Sequence, residues 1–533
     1  MGRRPLSRIL AAILLCYSAV RLAPAQDAIA TGPPNLLEGA VRLYSIDEGS
    51  TFSAEPPSVP PREVARVVIK LSFEVPQSIR SLASMGDYTI LALSHDAATA
   101  SLRALRFVLN DQEIALPLEG MLYQTVPGID PGLLRSGANT LVVEMMVFNR
   151  SRESDMVFAP LISLSALRSS DLEFQIGPLL GAFDDGSFAV TCRTNMPARV
   201  SVYRIEDAEL PDRVESMERV AGTDLGLLHR VRLARASPGE AEAYAVVAER
   251  DGYMVGTTIR PSAPRDSALR FVALGDSRTH VEDWQKVATA AVESRPEFVI
   301  HVGDMVANGR RDWEWGAQFW RPGQALLGRV PVYAVIGNHE EEAPLYDELF
   351  FTPSEDGRSR NWAQELGGVL LIGIDGRQDW SVGSDNARWL EQTLGRSDAR
   401  FAFLFSHYPS YSSSNHGRLD EEGHPVERPA REGRETVIPI LTKYGATAMV
   451  AGHDHVYERS ELPGGLTAIT CAGGGAPLYE KSEDAARQNP YSQIHASRHH
   501  FCLFEADSDS VTLRALTPEG ELIDTRTWRA RSD

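Results

Sequence analysis

Seven residues in the second half of the chain are of types that bind metal ions or move protons, and they recur in one setting. Asp276, Asp304, Asn338, His339, His407, His453 and His455 each follow closely on a short apolar run. The runs are Phe271 to Leu274, Phe298 to Val302, Val332 to Ile336, Phe401 to Phe405 and Ala448 to Val450. Runs of this length alternating with helical segments predict the strands of an α/β layer architecture. Ligand sites in such sheets form at the carboxyl ends of strands, so the five segments are expected to converge on one edge. One Asp or His in such a place is more often structural; five segments each bringing one point to a site. Carboxylate, amide oxygen and imidazole suit Zn, Mn or Fe, and a carboxylate can bridge two ions roughly 3.5 to 4 Å apart, as two-metal hydrolysis requires. Gly275, Gly303, Gly337 and Gly452 precede these residues and are read as letting the backbone turn sharply.

Taken in order, Gly275-Asp276, Gly303-Asp304, Gly337-Asn338-His339-Glu340, Ser406-His407 and Gly452-His453-Asp454-His455 resemble the motifs of the calcineurin-like metallophosphoesterases, and of their purple acid phosphatase branch above all. Cys471 to Tyr479 is similar to the segment that follows the last motif in that branch, and Gly177-Pro178 with Arg193 to Ala198 resembles its fibronectin-like sandwich. The resemblance implies a four-layer αββα domain over residues 267–533 and a centre of two metal ions, Fe, Zn or Mn. It implies that Asp304 bridges the ions, that Asp276 and His455 hold the first, and that Asn338, His407 and His453 hold the second. His339 would act on the phosphate or the leaving group, with Glu340 orienting and charging it.

Two positions depart from the pattern. Arg278 stands where many members have His, and Ala307 where purple acid phosphatases have Tyr. The first metal site is thus one ligand short, and no purple ferric centre is expected. Water, His280 or Asn308 are candidates to fill the gap. Arg278 is either a guanidinium facing the substrate phosphate, counted here with His339 and Glu340 as a candidate catalytic residue, or an outward salt bridge.

The elements that must position these residues extend over only part of a 533-residue chain, long enough for several domains. Arg3, Arg4 and Arg8, an apolar run from Ile9 to Val20, and Ala23-Pro24-Ala25 form a secretory signal over residues 1–25, cleaved after Ala25, which predicts an exported, periplasmic or secreted protein. The run is too short to span a bilayer. Residues 26–62, ending in a Pro-rich stretch, read as a linker. Alternation at Val67, Ile69, Leu71 and Phe73 opens an all-β sandwich over 63–165. A second, fibronectin type III or immunoglobulin-like unit is expected over 172–262, with Asp251-Gly252 as a hairpin turn.

Composition excludes other classes. Hydrophobic residues make up 43% and charged residues 23%, as in folded protein, and the net charge of −19 argues against nucleic acid as a partner. Beyond the signal, Cys192, Cys471 and Cys502 are too few for a disulfide scaffold; Cys471 and Cys502 could pair. His416 and His424, in a polar loop, could touch substrate or simply face solvent; His499-His500 reads as structural, and Trp313, Trp315 and Trp320, spaced for a helix face, either wall a pocket or pack in the core. The function expected is hydrolysis of a small phosphate monoester. A phosphodiesterase or nucleotidase on the same site, or a surface binding protein with a degenerate phosphoesterase domain, are the rivals.

Overall fold

Alternating side chains build the Val64–Glu74 strand, which sends Val67, Ile69, Leu71 and Phe73 into the core of an N-terminal sandwich. In the computed structural model, which describes residues 34–75, 90–96, 101–182, 187–205, 217–234, 243–259, 269–350 and 360–530, one sheet of this sandwich runs Val41–Ser45, Val64–Glu74, Ala138–Phe148, Ser101–Leu109, Gln112–Glu113. The second runs Ile162–Leu167, Ile90–His95, Thr125–Ile129. The segment read as a linker is partly sandwich. Leu36 and Leu37 are buried, Val41–Ser45 pairs with Val64–Glu74, and Ser58–Val59 pairs with Met156–Val157. Its strands are too short, and its prolines too prominent, for the alternation to show in sequence. The signal read at residues 1–25 lies outside the described residues. No helix among the described residues is long and apolar enough to cross a membrane.

The next unit is organised by one 18-residue strand, Phe188–Ile205. By sequence pattern alone it divides into two candidate strands, Ser187 to Cys192 and Arg199 to Tyr203. Its first part pairs with Phe174–Ala182 and Gly226–Leu233, its second with Glu218–Gly222 and Ala243–Arg250. The pairing with Gly226–Leu233 shifts between Arg193 and Ala198, where Pro197 has no N–H to donate. Asp251 and Gly252, both at positive φ, form the two-residue hairpin before Tyr253–Ile259.

The C-terminal half stacks two sheets face to face. The first places Val332–Ala334, Phe298–His301 and Leu269–Leu274 in parallel and continues antiparallel through Phe501–Ala506, Ser510–Leu516 and Leu522–Arg529. The second runs Trp362–Leu366, Val369–Ile374, Phe401–Ser406, Ala448–Ala451, Thr467–Cys471, Tyr457–Glu461, Ser492–Ala496. Phe271, Ile300 and Phe504 from the first sheet meet Leu371, Phe403 and Val450 from the second in a shared core. Cys471 and Cys502 also lie in that core, buried as free thiols.

Outside each sheet lies a helix. Val281–Glu293 buries Trp284, Val287 and Ala291 against Val272 and Val299. Asp385–Arg396, capped by the Ser384 hydroxyl accepting the Ala387 N–H, buries Leu390 and Leu394 against Leu370 and Leu404. Each fully buried side chain of this size contributes roughly 1.5–3 kcal/mol. The result is the expected helix–sheet–sheet–helix stack. The three units meet at Asp312, whose carboxylate accepts from Arg193 Nη2 at 3.0 Å and from the Gln124 N–H at 3.1 Å.

Candidate metal centre

Parallel pairing sets neighbouring strand ends side by side. Leu274 lies opposite His301 in one sheet and Ser406 opposite Ala451 in the other. The loops that follow carry Asp276, Asp304, His407, His453 and His455. Asp276, Asp304 and His453 sit at φ values of 59°, 57° and 69°, a left-handed conformation that costs such residues on the order of 1 kcal/mol or more. Strain gathered at three candidate ligands marks positions that their surroundings hold in place. Of the four preceding glycines only Gly303, at φ 97°, provides a left-handed turn. At Gly452 the demand is closeness, since a Cβ there would lie 2.7 Å from Asp276 Oδ2.

Four donor atoms gather at the second expected metal site. His407 Nε2 lies 3.0 Å from Asn338 Oδ1, 3.2 Å from His453 Nδ1 and 3.3 Å from Asp304 Oδ1. Each ring has an outward acceptor for its other nitrogen: Val302 O at 2.9 Å from His407 Nδ1, and Glu427 Oε2 at 3.0 Å from His453 Nε2. With their protons placed there, both imidazoles turn lone pairs toward each other and toward two oxygens. Such a cluster repels itself unless a cation sits among it, so these residues fit a divalent ion. Burial lowers the His407 pKa to about 3, keeping the ring neutral for ligation. Asp304 is buried too, but His407, His339 and Arg278 draw its pKa below the ordinary carboxylate range.

The first expected site is arranged differently. His455 Nε2 lies 3.5 Å from Asp276 Oδ1, and its Nδ1 is 2.6 Å from Pro477 O. Together with Asp304 these residues are close enough to hold an ion. Arg278, however, donates from Nε to Asp304 Oδ2 at 3.3 Å and from Nη2 to His455 Nε2 at 3.4 Å. The guanidinium thus uses two of the lone pairs an ion would need, and the arrangement does not fit a second dication. The residues considered for the gap are engaged elsewhere: His280 faces Asp283, and Asn308 Nδ2 donates to Glu341.

His339 stands at the rim, its side chain 31% exposed, with Nε2 3.8 Å from Asp304 Oδ2. Its Nδ1 meets Ala307 O at 2.7 Å, so a backbone carbonyl orients the ring. Glu340, expected to do so, lies beneath instead. Its carboxylate accepts the N–H groups of Asp304, Met305 and Gly337, at 3.0, 2.8 and 2.6 Å, and ties two ligand loops together. Burial, then the Asp304 charge, pushes its pKa up to about 8. Three residues were not singled out for the roles they take here. Glu427 binds both His453 and His416; the His416 ring lies 3.8 Å from that of His453; and Tyr479 stacks on His455 at 4.2 Å. His424 points to Asp420 at the surface, His499 Nδ1 to Gly473 O, and Trp315 is core.

Residues 269–457 match the calcineurin-like phosphoesterase family. A probable purple acid phosphatase of Arabidopsis thaliana is 27% identical over 37% of this chain and 47% of its own length. A probable inactive purple acid phosphatase of the same plant is 24% identical over 42% and 36%. The chain spans less than half the length of these curated relatives. Among solved structures, a purple acid phosphatase from yellow lupin seeds superposes with a TM-score of 0.57 at 14% identity, covering 87% of this chain and 93% of that one. The family match and the shared fold agree with the strand-end motifs: residues 269–457 match the calcineurin-like phosphoesterase family, and this part of the chain is similar to purple acid phosphatases.

Proposed function

We propose that this protein is an exported, metal-dependent phosphatase that hydrolyses small phosphate monoesters. The observation that carries the reading is the convergence of Asp304, Asn338, His407 and His453 on one point with their lone pairs inward. A divalent ion held there would polarise the phosphate and lower the pKa of an attacking water. The chain's own residues supply the rest. His339 presents Nε2 at the exposed rim, held by Ala307 O, where it can give a proton to the departing ester oxygen. The water oxygen forms the new P–O bond as the ester P–O bond breaks. Arg278 sets a permanent positive charge beside Asp304 for the phosphate oxygens. A cleft of about 600 Å³, lined by Asn308, Arg310 and Glu341 on one side and Arg106, Glu113 and Met121 of the N-terminal sandwich on the other, could receive the alcohol portion.

The test is hydrolysis of p-nitrophenyl phosphate and of its bis-aryl diester by the full chain, with and without Mn, Zn or Fe. Monoester turnover that a chelator abolishes and metal restores is the expected result. Preference for the diester would make it a phosphodiesterase. The second reading, a binding protein with a degenerate site, draws on Arg278 lying at the first metal position and on an inactive relative. Absence of turnover on both substrates, with metal bound, would favour it.

A further inference from the structure

We propose that the Arg278 guanidinium takes the place of the first metal ion, so that the centre works with one ion and one fixed organic cation. This rests on the metal-dependent reading above. His455 has Pro477 O as the acceptor for its Nδ1 proton, which leaves Nε2 as an acceptor; Arg278 Nη2 donates to it at 3.4 Å. Asp304 Oδ2, the other atom that would face a first ion, accepts Arg278 Nε at 3.3 Å. Asp304 Oδ1 is turned to the second site, 3.3 Å from His407 Nε2. With an ion in the second site, Asp304 would stand between two positive centres, one of them a side chain.

Charge leads to the same place. A guanidinium cannot lose its proton in the accessible pH range, so a dication entering between Asp304 and His455 would meet a fixed like charge. The ligand count agrees: Ala307 offers only a methyl group, and His280 and Asn308 face elsewhere. Asp276 still has partners without an ion, because its carboxylate accepts the His453 N–H at 3.0 Å. The fork that replaces the ion is suited to phosphate. Among the described residues Arg278 also donates from Nη1 to Thr279 Oγ1 at 3.4 Å, leaving one N–H on each terminal nitrogen for a phosphate oxygen. Asn338, His407 and His453, which would hold an ion at the second site, accept no hydrogen bond from Arg278 in this arrangement.

Metal content decides the matter apart from activity. The full chain, loaded with Mn(II), desalted and measured by elemental analysis and electron paramagnetic resonance, is expected to hold one ion per chain with an uncoupled six-line spectrum. Arg278→His, which restores the imidazole expected from the family pattern, should raise this to two ions with an exchange-coupled spectrum. His453→Ala should bind at least tenfold more weakly. Two coupled ions in the natural chain would overturn the substitution and leave the phosphatase reading standing. No ion in the natural chain would overturn both. One ion in both the natural chain and Arg278→His would show that Arg278 is not what keeps the second ion out, and would equally overturn the proposal. Should Arg278→His fail to fold, the count and spectrum of the natural chain still decide, and Arg278→Lys gives a second reading: one ion retained, with turnover lowered at least tenfold because a lysine cannot bridge Asp304, His455 and phosphate together.

Discussion

His339 and Glu340 are adjacent in sequence and opposite in surroundings, and substituting them should separate chemistry from architecture. His339 is one-third exposed, is anchored through Nδ1 and its backbone N–H, and has Nε2 3.8 Å from Asp304 Oδ2, so His339→Ala should leave metal content near normal while turnover falls roughly 100- to 10,000-fold if the ring acts as general acid. Glu340 accepts three backbone N–H groups from two ligand loops, and Glu340→Gln sets an NH₂ group against donors. That change should cost about 1–3 kcal/mol of stability and loosen the ion. Metal content and urea unfolding measured on both variants check this; equal metal loss in the two would count against the division. At this scale the candidate ligands stand out in the sequence because each follows an apolar run. The role of Glu427 does not, since a Glu in a polar loop carries no mark of the two imidazoles it will meet.

Elements deliver the candidate ligands, and the demand falls on the loop just after each strand. Gly303 is the sharpest instance: its φ is 97°, and a Cβ would lie 2.8 Å from Gly337 N and 2.7 Å from His407 Nδ1. Gly303→Ala should therefore push the Asp304 and Asn338 loops apart, lowering stability by about 1–3 kcal/mol and weakening metal binding with it. Thermal unfolding with and without added Mn(II) measures both; an unchanged midpoint and unchanged metal content would contradict the close packing seen there. The strands were readable because both sheets are buried on two faces and so appear as unbroken apolar runs. What sequence could not reveal was continuity. The Phe188–Ile205 strand looked like two because Asn195, Met196 and Pro197 interrupt the alternation, and Val41–Ser45 looked like linker because it is a short edge strand.

At the scale of the whole molecule, the C-terminal half leans on the two β units through Asp312, which ties Arg193 of the second unit to Gln124 of the first. Loss of the second unit would uncover that ion pair, so its acid stability matters to the whole. His229 is the group there to watch. It is 2% exposed, its Nδ1 meets Thr223 Oγ1 at 2.7 Å, and burial lowers its pKa from 6.5 to about 4. Between those two values the unfolded chain binds a proton that the folded chain refuses, so acidification draws the equilibrium toward unfolding. The stability in question is complete above pH 6.5 and is lost progressively down to about pH 4, at most about 3 kcal/mol by the pKa difference. His229→Gln, which cannot charge, should show a shallower fall in melting temperature between pH 7 and 4.5 than the natural chain. Part of the slope will remain, because His407 and His455 in the C-terminal half are also held neutral by burial. Melting followed by circular dichroism at several pH values gives both slopes. Identical slopes would mean that His229 does not carry the acid sensitivity of the second unit.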